Sequence, residues 1–353
     1  MELKPKSRSE VEGIVQDAIS SAVDFVESEI SQDRIKAQRY YDGEVDLGHE
    51  DGRSKVVATK VRDTVRAVKP SLMRIFLSTA KPVEYVPHGP EDVAMAEQAT
   101  EFMHHEFTRL DGYRVMNDAF QDALIKKQGI VKSYWMTYPE AEIYTYTDLS
   151  DEEYTYLVED DEVSVIEHTV EMAMSVDVTG MGVEMPIHSA KLSRQKEKGE
   201  LCIESVPPEE FFVDRDARNL KDAYLVAHRT EMRAGDLIAM GFDAEEVLKL
   251  DGLESGSEMT EAEMFERRGY DMDTSDNAEQ DPAMKNITVT EAYMRIDVDG
   301  TGIPVLHKII CGGSAYELLD YEPCDELPFA KFEIDPEPHT FYGRCALSSI
   351  TWQ

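Results

Sequence analysis

Asp214 and Asp216 flank Arg215 just after the apolar run Phe211-Phe212-Val213. Carboxylates two residues apart on a strand share a face. Such a pair can hold a divalent ion or divide the roles of acid and base. Ion pairs with Arg215 or Arg218 account for the same residues in a chain this acidic. Asp297-Val298-Asp299-Gly300 has the look of a calcium loop, but an EF-hand needs its glycine at position six and here it falls at position four, so a hairpin turn is expected. His307, Cys311, Cys324, His339 and Cys345 carry zinc-type donors. They lack the Cys-x-x-Cys or His-x-x-x-His spacing of a structural site, and buried thiols serve as small hydrophobes. His104 and His105 are adjacent in a helical stretch and so point in different directions. No glycine-rich phosphate loop and no Gly-x-Ser-x-Gly elbow occurs in the sequence. The sequence therefore assigns no catalytic residue, metal or cofactor.

One segment stands out by charge. Arg53, Lys55, Lys60, Arg62, Arg66, Lys69, Arg74 and Lys81 face a single acid, Asp63. Basic helix faces of this kind contact phosphates, or else dock on acidic surface in the same chain or a neighbouring copy. The acidic complement is plentiful. The chain has 36 Lys+Arg against 72 Asp+Glu, a formal charge of −36. From Ser133 to Ala190 there are 14 acids and no Lys or Arg. That balance opposes adhesion to nucleic acid or anionic membrane over most of the surface.

These residues need elements to place them. Ser9 and Glu12 read as a capping box opening a helix to about Tyr41, with Val11, Ile14, Val15, Ala18, Ala22, Val26 and Ile30 on one face. A second helix is expected from Val56 to Lys69, broken at Pro70, with a short restart over residues 71–76. Two more follow, at 91–109 and 113–127. The pattern changes at Gly129 to β-branched and aromatic runs with hairpin turns. The segment from Asp251 to Lys285 is acidic and weakly periodic, which reads as a loop. Helices first and strands after give an α+β class: a helical N-terminal third followed by a mostly antiparallel β-rich region. The expected divisions are helices over 1–128, a β-rich region over 129–250, a loop or linker over 251–286, strands over 287–343 and a divergent tail over 344–353.

Length and composition bound the rest. A chain of 353 residues with 42% hydrophobic and 31% charged residues can bury a sizeable core. No stretch approaches the roughly 18 apolar residues of a membrane span. Met1 to Glu12 lacks the apolar core of a signal peptide. Four cysteines are too few for a disulfide scaffold, which points to a reducing compartment.

The order of motifs resembles the portal, or head-to-tail connector, proteins of short-tailed double-stranded-DNA bacteriophages. The carrying residues are Gly52-Arg53-Ser54-Lys55-Val56-Val57, Val61-Arg62-Asp63-Thr64-Val65 and Pro70 to Phe76; Asp122 to Trp135; Val206-Pro207-Pro208-Glu209-Glu210-Phe211; Asp214 to Arg218; Ala227-His228-Arg229; Val289 to Tyr293; Leu306-His307-Lys308; Pro328-Phe329; and Pro338 to Gly343. The resemblance implies a structural virion protein with a wing-like fold. It implies a ring of twelve copies at one capsid vertex, through which DNA is packaged and ejected. It also implies contact with the major capsid protein, the terminase and tail adaptor proteins, no enzymatic activity, and assembly in the bacterial host cytoplasm. Family members continue into a stem, clip and crown. Here the chain stops ten residues after Gly343 without an amphipathic stem pattern, so those parts are expected to be missing and the tail reads as a frameshift or an artificial end. A metal-dependent hydrolase using Asp214 and Asp216, and a nucleic-acid-binding module centred on Arg53 to Lys81, are the alternative readings.

Overall fold

The structure, a computed structural model, describes residues 4–44, 59–78, 81–160, 163–176, 182–251, 258–269 and 281–345. Helices α1 (Arg8–Phe25), α2 (Ser31–Asp42), α3 (Lys60–Leu77), α4 (Val93–Arg109) and α5 (Gly112–Ile125) come first. Strand β1 (Gly129–Leu149), helix α6 (Asp151–Val158) and strands β2 (Val163–Val176) and β3 (Gly182–Val206) follow. Then come β4 (Phe211–Val213), β5 (Leu225–Arg233), α7 (Ala234–Ala239), α8 (Ala244–Lys249) and α9 (Glu258–Arg268). Strands β6 (Asn286–Ile296), β7 (Val305–Gly312), β8 (Glu317–Pro323) and β9 (Phe329–Phe332) complete the α+β fold. The chain divides into two compact units, residues 1–133 with 203–353, and residues 134–202.

The first unit is built on an antiparallel sheet in the order β4-β5-β6-β7-β8. Strand β6 lies at its centre, and alternate residues serve opposite faces. Ala292, Met294 and Ile296 meet α1 through Val11, Val15, Ile19, Ala22 and Val23, spaced at three and four residues. On the other face, Tyr293 joins Phe211, Val226, Phe329 and Phe341, while Ile287 and Val289 pack under α7 and α8. Gly129 opens β1 where the carbonyl of Ala119 comes so close that an added Cβ would sit 2.0 Å from its oxygen.

Two details of the helices differ from the sequence reading. Ser7, not Ser9, caps α1: its hydroxyl accepts the Glu10 N–H, and the Glu10 carboxylate accepts the Ser7 N–H at 2.8 Å. Tertiary partners choose between the two overlapping Ser-x-x-Glu frames. Arg8 donates to the carbonyls of Leu318 and Leu319 at 2.9 Å, and Glu12 accepts the Leu318 N–H. The second difference is that α3 runs unbroken through Pro70. Its buried Val61, Val65 and Met73 lie on both sides of the proline, and Phe76 packs at a tilt against Phe120 of α5, ring centroids 5.3 Å apart. Packing carries the helix past the missing amide. Between α1 and α2, Val26–Ile30 form a π-helical turn, which takes one extra residue. The segment read as a weakly periodic loop contains the eleven-residue α9.

The second unit has a long antiparallel hairpin, β2 with β3, with β3 hydrogen-bonded next to β1. Helix α6 buries no residue fully and is fixed by its capping box, Ser150 with Glu153. It is also held by ring stacking: Tyr154 lies flat on His168 and His188 at 4.2 and 4.9 Å, and His168 Nε2 meets His188 Nδ1 at 2.8 Å. Many apolar side chains of this unit stay exposed, among them Trp135, Ile143, Tyr156, Ile166 and Met172.

Candidate functional site

The basic segment is placed chiefly by α3. Arg53 and Lys55 lie outside the described residues. Arg62 turns inward, donating to the Tyr41 carbonyl and to Asp42 at 3.1 and 2.9 Å. Lys69 donates to Gln121 at 2.7 Å, and burial pushes its ammonium below the usual lysine value. Lys81 pairs with Glu101, whose hydrogen bond raises the lysine's value. Lys60, Arg66 and Arg74 are exposed and hold no ion pair among the described residues. Ile75, next to Arg74, is exposed as well, so the open side of α3 carries an apolar side chain among its cations.

The other chemical candidates have structural duties. Asp214 braces a loop, accepting the N–H groups of Tyr224 and Leu225 at 2.8 and 3.1 Å. Arg215 lies over the Phe25 ring rather than on Asp214, and Asp216 is exposed. Asp297 accepts the N–H groups of Thr301 and Gly302 at 3.0 and 2.8 Å, closing the β6–β7 hairpin. Gly300 takes φ +70° in that turn, where the backbone of Lys4 leaves no room for a Cβ. Cys311 is buried under α1, and burial pushes its thiol up to about 12. Cys345 is also buried, in a different cluster, with Val61 and Leu124. His307 bonds the Val305 carbonyl at 3.0 Å, and His105 meets Glu106 at 3.1 Å. His339 takes φ +67° in the turn before Phe341. Among the described residues no three His, Cys, Asp or Glu side chains are disposed to hold a metal.

Sequence reasoning passed over the densest charge cluster, which lies inside the first unit. Arg267 of α9 donates to both oxygens of Glu209 at 2.7 and 3.0 Å and to Asp122 of α5 at 2.9 Å. Arg34 of α2, fully buried, pairs with Glu263 of α9 at 3.9 Å and donates to the Pro208 carbonyl at 2.8 Å. Lys126 is buried between them in the field of Arg267, Glu209, Glu263 and Arg34. Three cations meet three carboxylates. Burial raises the carboxyls of Asp122 and Glu263 and lowers the Lys126 ammonium. Burial opposes ionisation of Glu209 too, but Arg267 overcomes it and holds that carboxyl below its usual value. Tyr342 closes the cluster with its ring 5.6 Å from the Arg34 guanidinium carbon. Such an array holds four separate pieces of backbone in one arrangement.

Residues 11–351 match the family described as phage SU10 portal protein. The chain belongs to that family. No curated protein matches it. Membership makes the chain a structural portal protein of a phage virion, built to assemble with copies of itself and to associate with the capsid. In this portal chain, several residues that carried the resemblance are the ones that hold the buried charges. Asp122 and Lys126 come from the block at 122–135, Glu209 from the Pro-Pro-Glu-Glu turn, and Tyr342 from the Phe-Tyr-Gly turn. Arg34, Glu263 and Arg267 were missed. The available signal was position. Arg34 falls four residues after Ile30 and three before Ala37 on the buried stripe of its helix, and Glu263 and Arg267 are four apart. No described helix is long and apolar enough to cross a membrane.

Proposed function

We propose that this chain is the subunit of a ring at one capsid vertex, through which double-stranded DNA is packaged and later ejected and which joins head to tail. The observation that carries the reading is the family match over residues 11–351. The residue blocks of the resemblance imply twelve copies, assembled in the host cytoplasm, with the major capsid protein, the terminase and tail adaptor proteins as partners. Mechanism in this reading is geometric and electrostatic. A chain with 72 acids to 36 bases repels the DNA backbone, so the duplex slides past without sticking. Of the basic segment Arg53, Lys55, Lys60, Arg62, Arg66, Lys69, Arg74 and Lys81, the exposed Lys60, Arg66 and Arg74 are assigned to contacts between subunits rather than to DNA. Electron microscopy of the purified protein is expected to show rings. In a phage lacking its own portal, the gene is expected to restore DNA-filled heads. Persistent monomers at high concentration together with DNA-free heads in the complemented phage would overturn the reading.

A further inference from the structure

Among its described residues, the second unit presents an open aromatic, acidic cleft. A cavity of about 610 Å³ is lined by Tyr144, Tyr146, Tyr156, Leu192 and Arg194, with Glu159 and Asp160 on its rim. A shallower one of about 390 Å³ lies beside it, sharing Tyr156 and Leu157 and edged by Glu152 and Glu153. Tyr156 stands between the two, 79% exposed. An exposed tyrosine ridge flanked by carboxylates fits a cation set beside an apolar side chain: the ring faces attract the cation, the carboxylates pair with it, and the apolar neighbour covers the rings. Arg194, the cleft's own cation, is paired with Asp160 at 3.2 Å, and Glu159, Glu152 and Glu153 supply the remaining acids.

The same chain carries the complementary surface. On α3, Arg66 and Arg74 are exposed, and Ile75, which follows Arg74 round the open side of the helix, is 71% exposed. We propose that α3 of one copy docks on α6 of a second copy. Its cations meet the Tyr156 ridge and Glu159, while Ile75 covers Leu157. The contact is head-to-tail: each copy gives one surface and receives the other, so repetition closes a ring or extends a chain. The identity of the occupant as a second copy rests on the ring reading above. The docking surfaces themselves rest on charge and apolar complementarity.

The test uses the full chain. R66E/R74E and, separately, E159R change exposed residues, so circular dichroism is expected to match the wild type. Each variant alone is expected to lose assembly by at least tenfold in the concentration at which light scattering detects it. An equimolar mixture is expected to recover it, because reversed α3 then faces reversed α6 and native faces native. Y156A is expected to weaken assembly without rescue by mixing. Carbodiimide crosslinking of mixed isotope-labelled and unlabelled wild-type copies is expected to join Lys60 of one copy to Glu152, Glu153 or Glu159 of another. Variants that assemble like the wild type, with no crosslink between copies, overturn the docking and leave the ring reading intact. Crosslinks between copies that never exceed pairs keep the docking and overturn the ring. Crosslinks confined to single copies overturn the docking.

Discussion

At the residue scale, the charges buried among α2, α5, α9 and the turn at Glu209 are worth more as a set than singly. Removing one member strands its partners in a medium that solvates charge badly. Arg267→Met takes the shared donor from Asp122 and Glu209, and an expected loss of about 3 kcal/mol in urea unfolding follows from the cost of breaking a buried pair. Glu291 supplies a pH signature. Burial opposes its ionisation, but Lys132 Nζ at 2.5 Å and the Tyr293 hydroxyl at 2.6 Å reverse the balance and hold the carboxyl below its usual value. A lowered carboxyl contributes stability that is present above its unfolded value and lost as pH falls through the folded one. Wild-type stability is thus expected to drop below about pH 4.5, and Glu291→Gln to show a shallower drop over that window in thermal unfolding. Asp122 and Glu263 act in the opposite sense, because their raised carboxyls favour the fold at low pH and disfavour it as pH rises. Their presence makes the acid transition of the wild type smaller than Glu209 and Glu291 alone would give.

At the scale of elements, α3 is the informative case. Pro70 sits in mid-helix with its side chain in solvent, so it denies the helix one backbone hydrogen bond and gains no packing in return. Pro70→Ala is expected to stabilise the protein by roughly 1–3 kcal/mol, read as a raised urea midpoint at unchanged slope. An unchanged midpoint would show that the missing hydrogen bond costs the helix nothing at this position. Helix α9 is the opposite case. Its composition is acidic and its period weak, yet Glu263 and Arg267 reach the most buried charges of the unit. The signal for this helix was an i,i+4 pair of opposite charges, which by itself stabilises a helix by only about 0.5 kcal/mol. Its place is set by partners on α2, α5 and the Pro208–Glu210 turn, which are distant in sequence.

At the scale of the whole molecule, a formal charge of −36 sets long-range repulsion between copies against any short-range contact. Screening shortens from about 30 Å at 0.01 M salt to about 8 Å at 0.15 M. Oligomer mass by light scattering is therefore expected to rise over that interval. A mass that stays the same would show that assembly does not depend on the charge of the chain.

Much of this was legible in the residues. The apolar spacing from Val11 to Ile30, the change of texture at Gly129 and the turn at Asp297 each follow from local rules, because a helix period, a β-branched run and an Asx-braced turn act within a few residues. The ordered portal blocks were legible too, and they pointed to the family that the match over 11–351 then showed. The helix cap at Ser7, the continuity of α3 through Pro70 and the helix in the acidic segment were decided by contacts with strands and helices far along the chain. So was the gathering of Arg34, Asp122, Lys126, Glu209, Glu263 and Arg267. Burial makes such choices, since the cost of an unpaired charge or an uncovered apolar stripe is fixed only once distant segments meet, and one-dimensional spacing carries no record of who the neighbour will be.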